Sequence, residues 1–162
     1  MDAEKPNQVE PIDPPRGFYP GRVDEKGRLK LPARFQEYLG SFSDKRLFVT
    51  SLGDGIARIY PNSVWKQNEK FFETYTENPR AAQRIAFLAN ALGSDTEMDS
   101  QGRVLLSPEL RRKLGLENQP VQLLCYRGRI DVYSQTLFDQ QMAMVEATQA
   151  EDLQALEKSG LI

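Results

Sequence analysis

The side chains of this chain best placed for chemistry are charged groups set around tight turns. Asp24-Glu25-Lys26-Gly27-Arg28 and Asp99-Ser100-Gln101-Gly102-Arg103 both read Asp-x-x-Gly-Arg, 75 positions apart, and both lie between apolar positions. An Asp and an Arg four residues apart across a tight turn can meet at the open end of a hairpin. The carboxylate can orient the guanidinium bidentately and leave other N–H donors free for a phosphate or a guanine edge. The competing reading is a structural ion pair that fixes the turn, because solvated Asp–Arg pairs are common and weak.

The flanks separate the two copies. Residues 16–34 hold six bases (Arg16, Arg22, Lys26, Arg28, Lys30 and Arg34) against two acids. Residues 95–113 hold four bases (Arg103, Arg111, Arg112 and Lys113) against four acids. The first copy is therefore expected to face a polyanion, with Arg28 as reader, Lys26, Lys30, Arg22 and Arg34 around it, and Asp24 holding Arg28. Asp99 and Arg103 keep the shape with less positive charge, so the second copy is expected mainly to complete the fold. The run Arg111-Arg112-Lys113 reads as a solvated helix face.

Other chemistry finds little support. The chain has no histidine, which excludes a His-based triad, a His general base or a His metal site. It has one cysteine, Cys125, in an apolar run, so no intramolecular disulfide can form and a reducing cytosol fits. There is no nucleophile-elbow Ser, no Gly-rich phosphate loop and no metal-ligand cluster. No enzyme, cofactor, metal or small-molecule substrate is expected.

The formal net charge of −2 is unevenly spread over the 162 residues. Residues 1–16 have four acids and two bases, and residues 139–162 have five acids and one base. The span between them is basic, and binding follows the local potential rather than the total. The N-terminus, MDAEKPNQVEPIDPP, is acidic and Pro-rich, without the apolar core of a secretory signal. No apolar run approaches ~18 residues, so no membrane span or membrane partner is expected.

The elements that must hold the turns repeat as well. Asp at the first place of each turn and Gly at the fourth suit a type I turn, and the Gly can take a positive φ. Arg28-Leu29-Lys30-Leu31 alternates polar and apolar as a half-buried strand does. Pro32 to Gly40 reads as a short helix with Phe35, Tyr38 and Leu39 on one face. Strands at 47–50 and 56–60 follow. A helix after Pro61 carries an aromatic stripe (Trp65, Phe71, Phe72 and Tyr75) of the kind that is core or subunit contact. Asn78-Pro79 caps a further helix through Leu92, whose wide apolar stripe should be covered on more than one side.

The second unit repeats the order: turn 99–102, strand 103–106, helix 108–115, and strands 121–126 and 130–133. Thr136 and Asp139 then resemble a capping box. The C-terminal helix that follows is acidic and thinly apolar in its second half, and is expected to fray. Four short strands leave unpaired edges, whereas two units can interleave their hairpins.

Asp-x-Lys-Gly-Arg-Leu-x-Leu-Pro followed by Arg-Phe, then Met-Asp-x-x-Gly-Arg-Val-Leu-Leu and Leu-Arg, resembles the MraZ family. These are bacterial transcriptional regulators related to the AbrB/SpoVT swapped-hairpin DNA-binding proteins. The resemblance covers about residues 17–140. It implies an α+β fold: a tandem pseudo-twofold repeat forming a swapped-hairpin β-barrel flanked by helices. It also implies a ring-like homo-oligomer that binds double-stranded DNA at promoter repeats of the division and cell-wall operon, in the cytoplasm at the nucleoid. Asp24 with Arg28, and Asp99 with Arg103, match the family's Asp-x-x-x-Arg positions, and the arginine at the Arg28 position is the one tied to DNA contact. Gln36 departs from the family pattern, which often has Arg there, and so does the acidic arm.

The expected organisation is a disordered acidic arm over 1–16, a first repeat over 17–92, a second over 93–145 and a frayed helical tail over 146–162. The main alternative function is an oligomeric scaffold or antitoxin-like protein-binding module, which the aromatic helix at 64–75 and the acidic tails could serve.

Overall fold

The computed structural model describes residues 11–162, so most of the expected arm, residues 1–10, lies outside the described residues. The first half runs β1 (Tyr19–Arg22), β2 (Arg28–Lys30), α1 (Ala33–Gly40), β3 (Arg46–Thr50), β4 (Ala57–Pro61), α2 (Asn62–Thr74) and α3 (Pro79–Leu92). The second runs β5 (Ser94–Glu97), β6 (Arg103–Leu105), α4 (Pro108–Leu114), β7 (Pro120–Tyr126), β8 (Arg129–Ser134) and α5 (Gln135–Lys158).

Six strands form one antiparallel sheet in the order β1-β7-β8-β4-β3-β5, and β2 and β6 form a separate antiparallel ribbon. The entering strand of each half pairs in the other half. β1 lies along β7 with Tyr19 opposite Leu123, and β5 lies along β3 with Phe48 opposite Asp95. The architecture is α+β, as expected. The hydrogen bonding does not show the closed barrel, because β1 and β5 are the two edges of the sheet.

Alternation along the strands makes two cores. Leu47, Val49, Ala57 and Ile59 turn one way and join Leu29, Val104, Leu123, Ile130 and Val132 in the larger core. Phe48 and Tyr60 turn the other way and meet Trp65 of α2 and Ala89 of α3. Trp65 stacks on Phe48 at 4.6 Å between ring centroids. The aromatic stripe of α2 is thus core at Trp65 and open at Phe71, which is 55% exposed. Helix α3 buries Ala82 and Ala89, with Ala89 in the smaller core and Leu92 packed against the larger one, and leaves Phe87 78% exposed.

The short helices follow their sequence cues. Pro32 stands immediately before α1, which buries Phe35, Tyr38 and Leu39 at helical spacing. Ser107 caps α4, its Oγ accepting the Leu110 N–H, and Asn78 caps α3, its Oδ1 accepting the Ala81 N–H. At α5 the Thr136–Asp139 box is corrected. Ser134 is the cap, accepting the Leu137 N–H at 3.1 Å, and Gln135 Nε2 donates to Asp139. Helix α5 runs to Lys158, and every residue of its outer half is exposed. At the other end, the Ile12 amide donates to the Oγ of Ser41, just past α1, and Pro15 is buried.

Candidate nucleic-acid interface

The two Asp-x-x-Gly-Arg turns have the same geometry. Asp24 Oδ1 accepts the Lys26 and Arg28 amides, each at 2.9 Å, and Asp24 Oδ2 accepts Arg28 Nε at 2.9 Å. Asp99 Oδ1 accepts the Gln101 and Arg103 amides at 2.9 Å, and its Oδ2 accepts Arg103 Nε at 2.8 Å. One carboxylate therefore satisfies the turn with one oxygen and aims the arginine with the other. Gly27 and Gly102 close the turns at φ 84° and 75°, and each donates its N–H to the Asp carbonyl at 3.0 Å. That backbone conformation favours glycine.

The Asp24 carboxyl is held below the usual carboxylate range by the Arg28 amide first, with the Arg28 guanidinium and the Lys26 amide adding to it. Asp99 is held down in the same way by the Arg103 amide and then its guanidinium. Both acids therefore stay ionised at neutral pH. Each arginine engages its acid through Nε alone. Its two terminal nitrogens have no hydrogen-bond partner among the described residues.

The ribbon joins the two turns. Arg28 stands opposite Leu105, Leu29 opposite Val104, and Lys30 opposite Arg103. Leu29 and Val104 are both 0% exposed and face the core. The pairs on either side must then project outward together. One outer face carries Arg28, Lys30, Arg103 and the half-exposed Leu105. Each turn is also clasped by the other half: Leu106 donates its N–H to the Gly27 carbonyl, and Leu31 donates to the Gly102 carbonyl, both at 2.9 Å. Lys30 Nζ donates to the Gln101 carbonyl.

The remaining expected residues are spread around this face. Lys26 is exposed at the first turn. Arg22 lines a shallow groove beside Lys30, bounded by Tyr19, Gly21, Pro32 and Gln36, and donates to the Asn118 carbonyl at 2.9 Å. Arg34 is drawn to Tyr19 Oη at 3.2 Å. Arg22 and Arg34 thus have structural partners, whereas Lys26, Arg28 and Arg103 present free donors.

Arg111 overturns the reading of its run as a solvated face. Arg112 does pair loosely with Glu109, at 3.9 Å, on the helix surface. Arg111 instead lies over the first turn, where a Cβ added to Gly27 would overlap its guanidinium. Gln36 occupies the equivalent place over Gly102. The seat depends on pairing between halves, so the local sequence could not show it. The 75-residue offset relating Gln36 to Arg111 was the available signal.

A second charged cluster lies on the face of β4 and β8 turned away from the larger core. Arg129 Nε donates to Asp131 at 2.8 Å, and Arg58 reaches Asp54 at 2.7 Å and Tyr60 Oη at 3.1 Å. Burial pushes the Asp131 carboxyl up, against the pull of Arg129. Burial likewise pushes the Cys125 thiol up to about 12, so it is inert at neutral pH. Among the described residues no group of three His, Cys, Asp or Glu could hold a metal ion, and no helix is long and apolar enough to cross a membrane.

Comparison with known proteins gives concordant matches. Residues 91–158 match the family described as "MraZ protein, putative antitoxin-like". The Transcriptional regulator MraZ of Acidobacterium capsulatum is 38% identical over 147 residues, covering 90% of this chain and 99% of that protein. The protein of the same name from Variovorax paradoxus is 34% identical over 131 residues, 80% of this chain and 87% of its own. That of an Acidovorax species is 40% identical over 103 residues, 62% of this chain and 69% of its own.

Proposed function

This chain belongs to the MraZ family, and on that premise we propose that it is a sequence-specific DNA-binding transcriptional regulator. It represses the division and cell-wall gene cluster that includes its own gene, acting as a ring-like oligomer on promoter repeats at the nucleoid. The observation that carries this reading is the ribbon's outer face. Arg28 and Arg103 project from it with carboxylates holding Nε and with their terminal nitrogens free. A B-DNA major groove is roughly 12 Å wide and admits a two-stranded ribbon, and a bidentate arginine on guanine is its commonest specific contact. The exchange of β1 and β5 between halves supports a swapped-hairpin arrangement behind that face, with sheet and ribbon acting as one barrel.

The test is titration of duplex DNA from upstream of the protein's own gene, at moderate salt, with folding checked for each variant. Arg28→Ala abolishes the shift. Arg103→Ala weakens it less, because Ser100, Gln101 and Gln36 surround the second turn where the first has Glu25, Lys26 and Arg111. Equal loss in both variants refutes the asymmetry, and no shift by the unaltered protein refutes the function.

A few phosphate contacts per subunit give weak, salt-sensitive binding, with log K falling by about 0.9 per contact per log unit of salt. A ring presenting many hairpins raises the apparent affinity roughly 10²–10⁴-fold through effective concentration. The exposed Phe71 and Phe87 supply apolar surface for such subunit contacts. Fluorescence anisotropy is expected to show spaced tandem boxes bound far more tightly than one box; similar affinities refute the multivalent reading. The same exposed aromatics favour the second reading, an oligomeric scaffold or antitoxin-like module that binds protein. It gains if no promoter fragment shifts while the protein remains a folded oligomer by light scattering.

A further inference from the structure

Among the places where the pseudo-twofold of the ribbon is broken is the residue that covers each turn glycine. Gln36 and Arg111 are equivalent by the 75-residue offset, and each covers the glycine of the other half's turn. Gln36 is satisfied where it lies, since its Nε2 donates to the Leu31 carbonyl at 2.8 Å. Arg111 is not. Its Nε is sealed from solvent without a partner, and among the described residues its side chain makes no hydrogen bond or ion pair. Its terminal nitrogens also have no partner among the described residues, and the residue as a whole is partly exposed.

Partly burying a guanidinium against a glycine, with no partner for its charge, costs free energy that nothing in the chain returns. An anion bound by the terminal nitrogens at the first turn would offset part of that cost. Lys26 and Arg28 stand at that turn, so three cations from the two halves meet there: Lys26, Arg28 and Arg111. The equivalent places at the second turn hold Gln101, Arg103 and Gln36, a single cation.

We infer that Arg111 is a DNA-phosphate contact, reaching from α4 of the second half across Gly27 to the backbone beside the site read by Arg28. This rests on the proposed DNA-binding function and deepens it. The hairpin pair then grips a duplex unequally, firmly at the first turn and lightly at the second, which gives each subunit a fixed polarity on its box. A phosphate contact is sequence-independent, so Arg111 sets affinity and orientation while Arg28 sets specificity.

The test is a salt series of anisotropy titrations with the full-length protein and promoter duplex. It compares the unaltered protein with Arg111→Gln, Arg111→Lys, Gln36→Arg and Arg28→Ala, with a melting temperature recorded for each. Arg111→Gln copies the partner position and is expected to lower the slope of log K against log salt by about 0.9 per bound subunit. Arg111→Lys keeps most of the slope, and Gln36→Arg raises it. A lower melting temperature with an unchanged slope in Arg111→Gln makes the residue a structural cover for Gly27 and overturns the inference. If Arg28→Ala abolishes binding while Arg111→Gln binds as the unaltered protein does, the inference fails and the DNA-binding reading stands. If the unaltered protein does not bind the duplex, both fail together.

Discussion

Asp24 and Asp99 each do two jobs with one carboxylate, and both jobs need the charge. One oxygen accepts two amides of the turn, and the other fixes an arginine at 2.9 Å and 2.8 Å respectively. Because both carboxyls titrate below their usual range in the fold, they stabilise it fully above the unfolded carboxylate value near 4. That contribution fades as pH falls through the depressed folded values. Asp44, held down chiefly by the Arg46 side chain and then by Asn62, works in the same direction. Asp131 works the other way. Its raised folded pKa makes its contribution largest in acid, and that contribution is lost as pH rises through the folded value. Thermal melts from pH 6 to pH 2.5 are expected to show stability falling below about pH 4. The fall should be shallower in an Asp24→Asn, Asp99→Asn double variant. An identical acid limb in that variant would show that the turn carboxylates are not coupled to folding. This residue-scale geometry was legible in the sequence because it is local: Asp and Arg sit four apart with the glycine fixed between them. Arg111 was not legible, since its partner Gly27 is 84 positions away in the chain.

The strands and helices show where periodicity suffices and where it stops. Helices α1 and α4 and strands β2 and β6 follow from a Pro at the helix start and alternating apolar residues, cues that act within a few residues. Strand β5 has no such cue. Ser94-Asp95-Thr96-Glu97 contains no apolar side chain, and it is a strand because it pairs with β3 at the sheet edge. Only its offset from β1 marks it. The start of α5 is a closer contest. Thr136 and Asp139 have nearly the spacing of a capping box, but the chain leaves β8 at Ser134 and turns directly into the helix. The Ser134 hydroxyl therefore meets a free amide of the first turn, that of Leu137. Ser134→Ala is expected to cost about 1 kcal/mol in denaturant unfolding. Thr136→Ala, at an exposed position inside the helix, should stay within about 0.5 kcal/mol of the unaltered protein. The reverse order would restore Thr136 as the cap and place the helix start two residues later.

On the scale of the whole molecule, each half completes its strand pairing with the other. The doubled motif revealed two units, yet a repeat alone does not say which strands pair, because that is decided by burial across the units. Leu29 of one half and Val104 of the other face each other across the ribbon, both fully buried, so each provides the cover that the other lacks. Separating the halves at residue 92 would strip β7 of β1 and β3 of β5, and would leave β2 and β6 as single strands. The second half would keep only the β7–β8 hairpin, and an isolated two-stranded hairpin is marginal in water. Its exposed Val104, Leu106 and Leu123 would seek the partner that β2 and β1 supply in the intact chain. A fragment of residues 93–162 is therefore expected to be unfolded, or to pair with a second copy of itself, and not to form a folded monomer. Mixing it with residues 1–92 should restore a single cooperative melt and the sheet signal in circular dichroism, with a mass by light scattering in which the two fragments are present in equal number. A monomeric 93–162 fragment that melts cooperatively on its own would show that the strand exchange is dispensable. The ribbon, which needs one strand from each half, would then not be what holds the halves together.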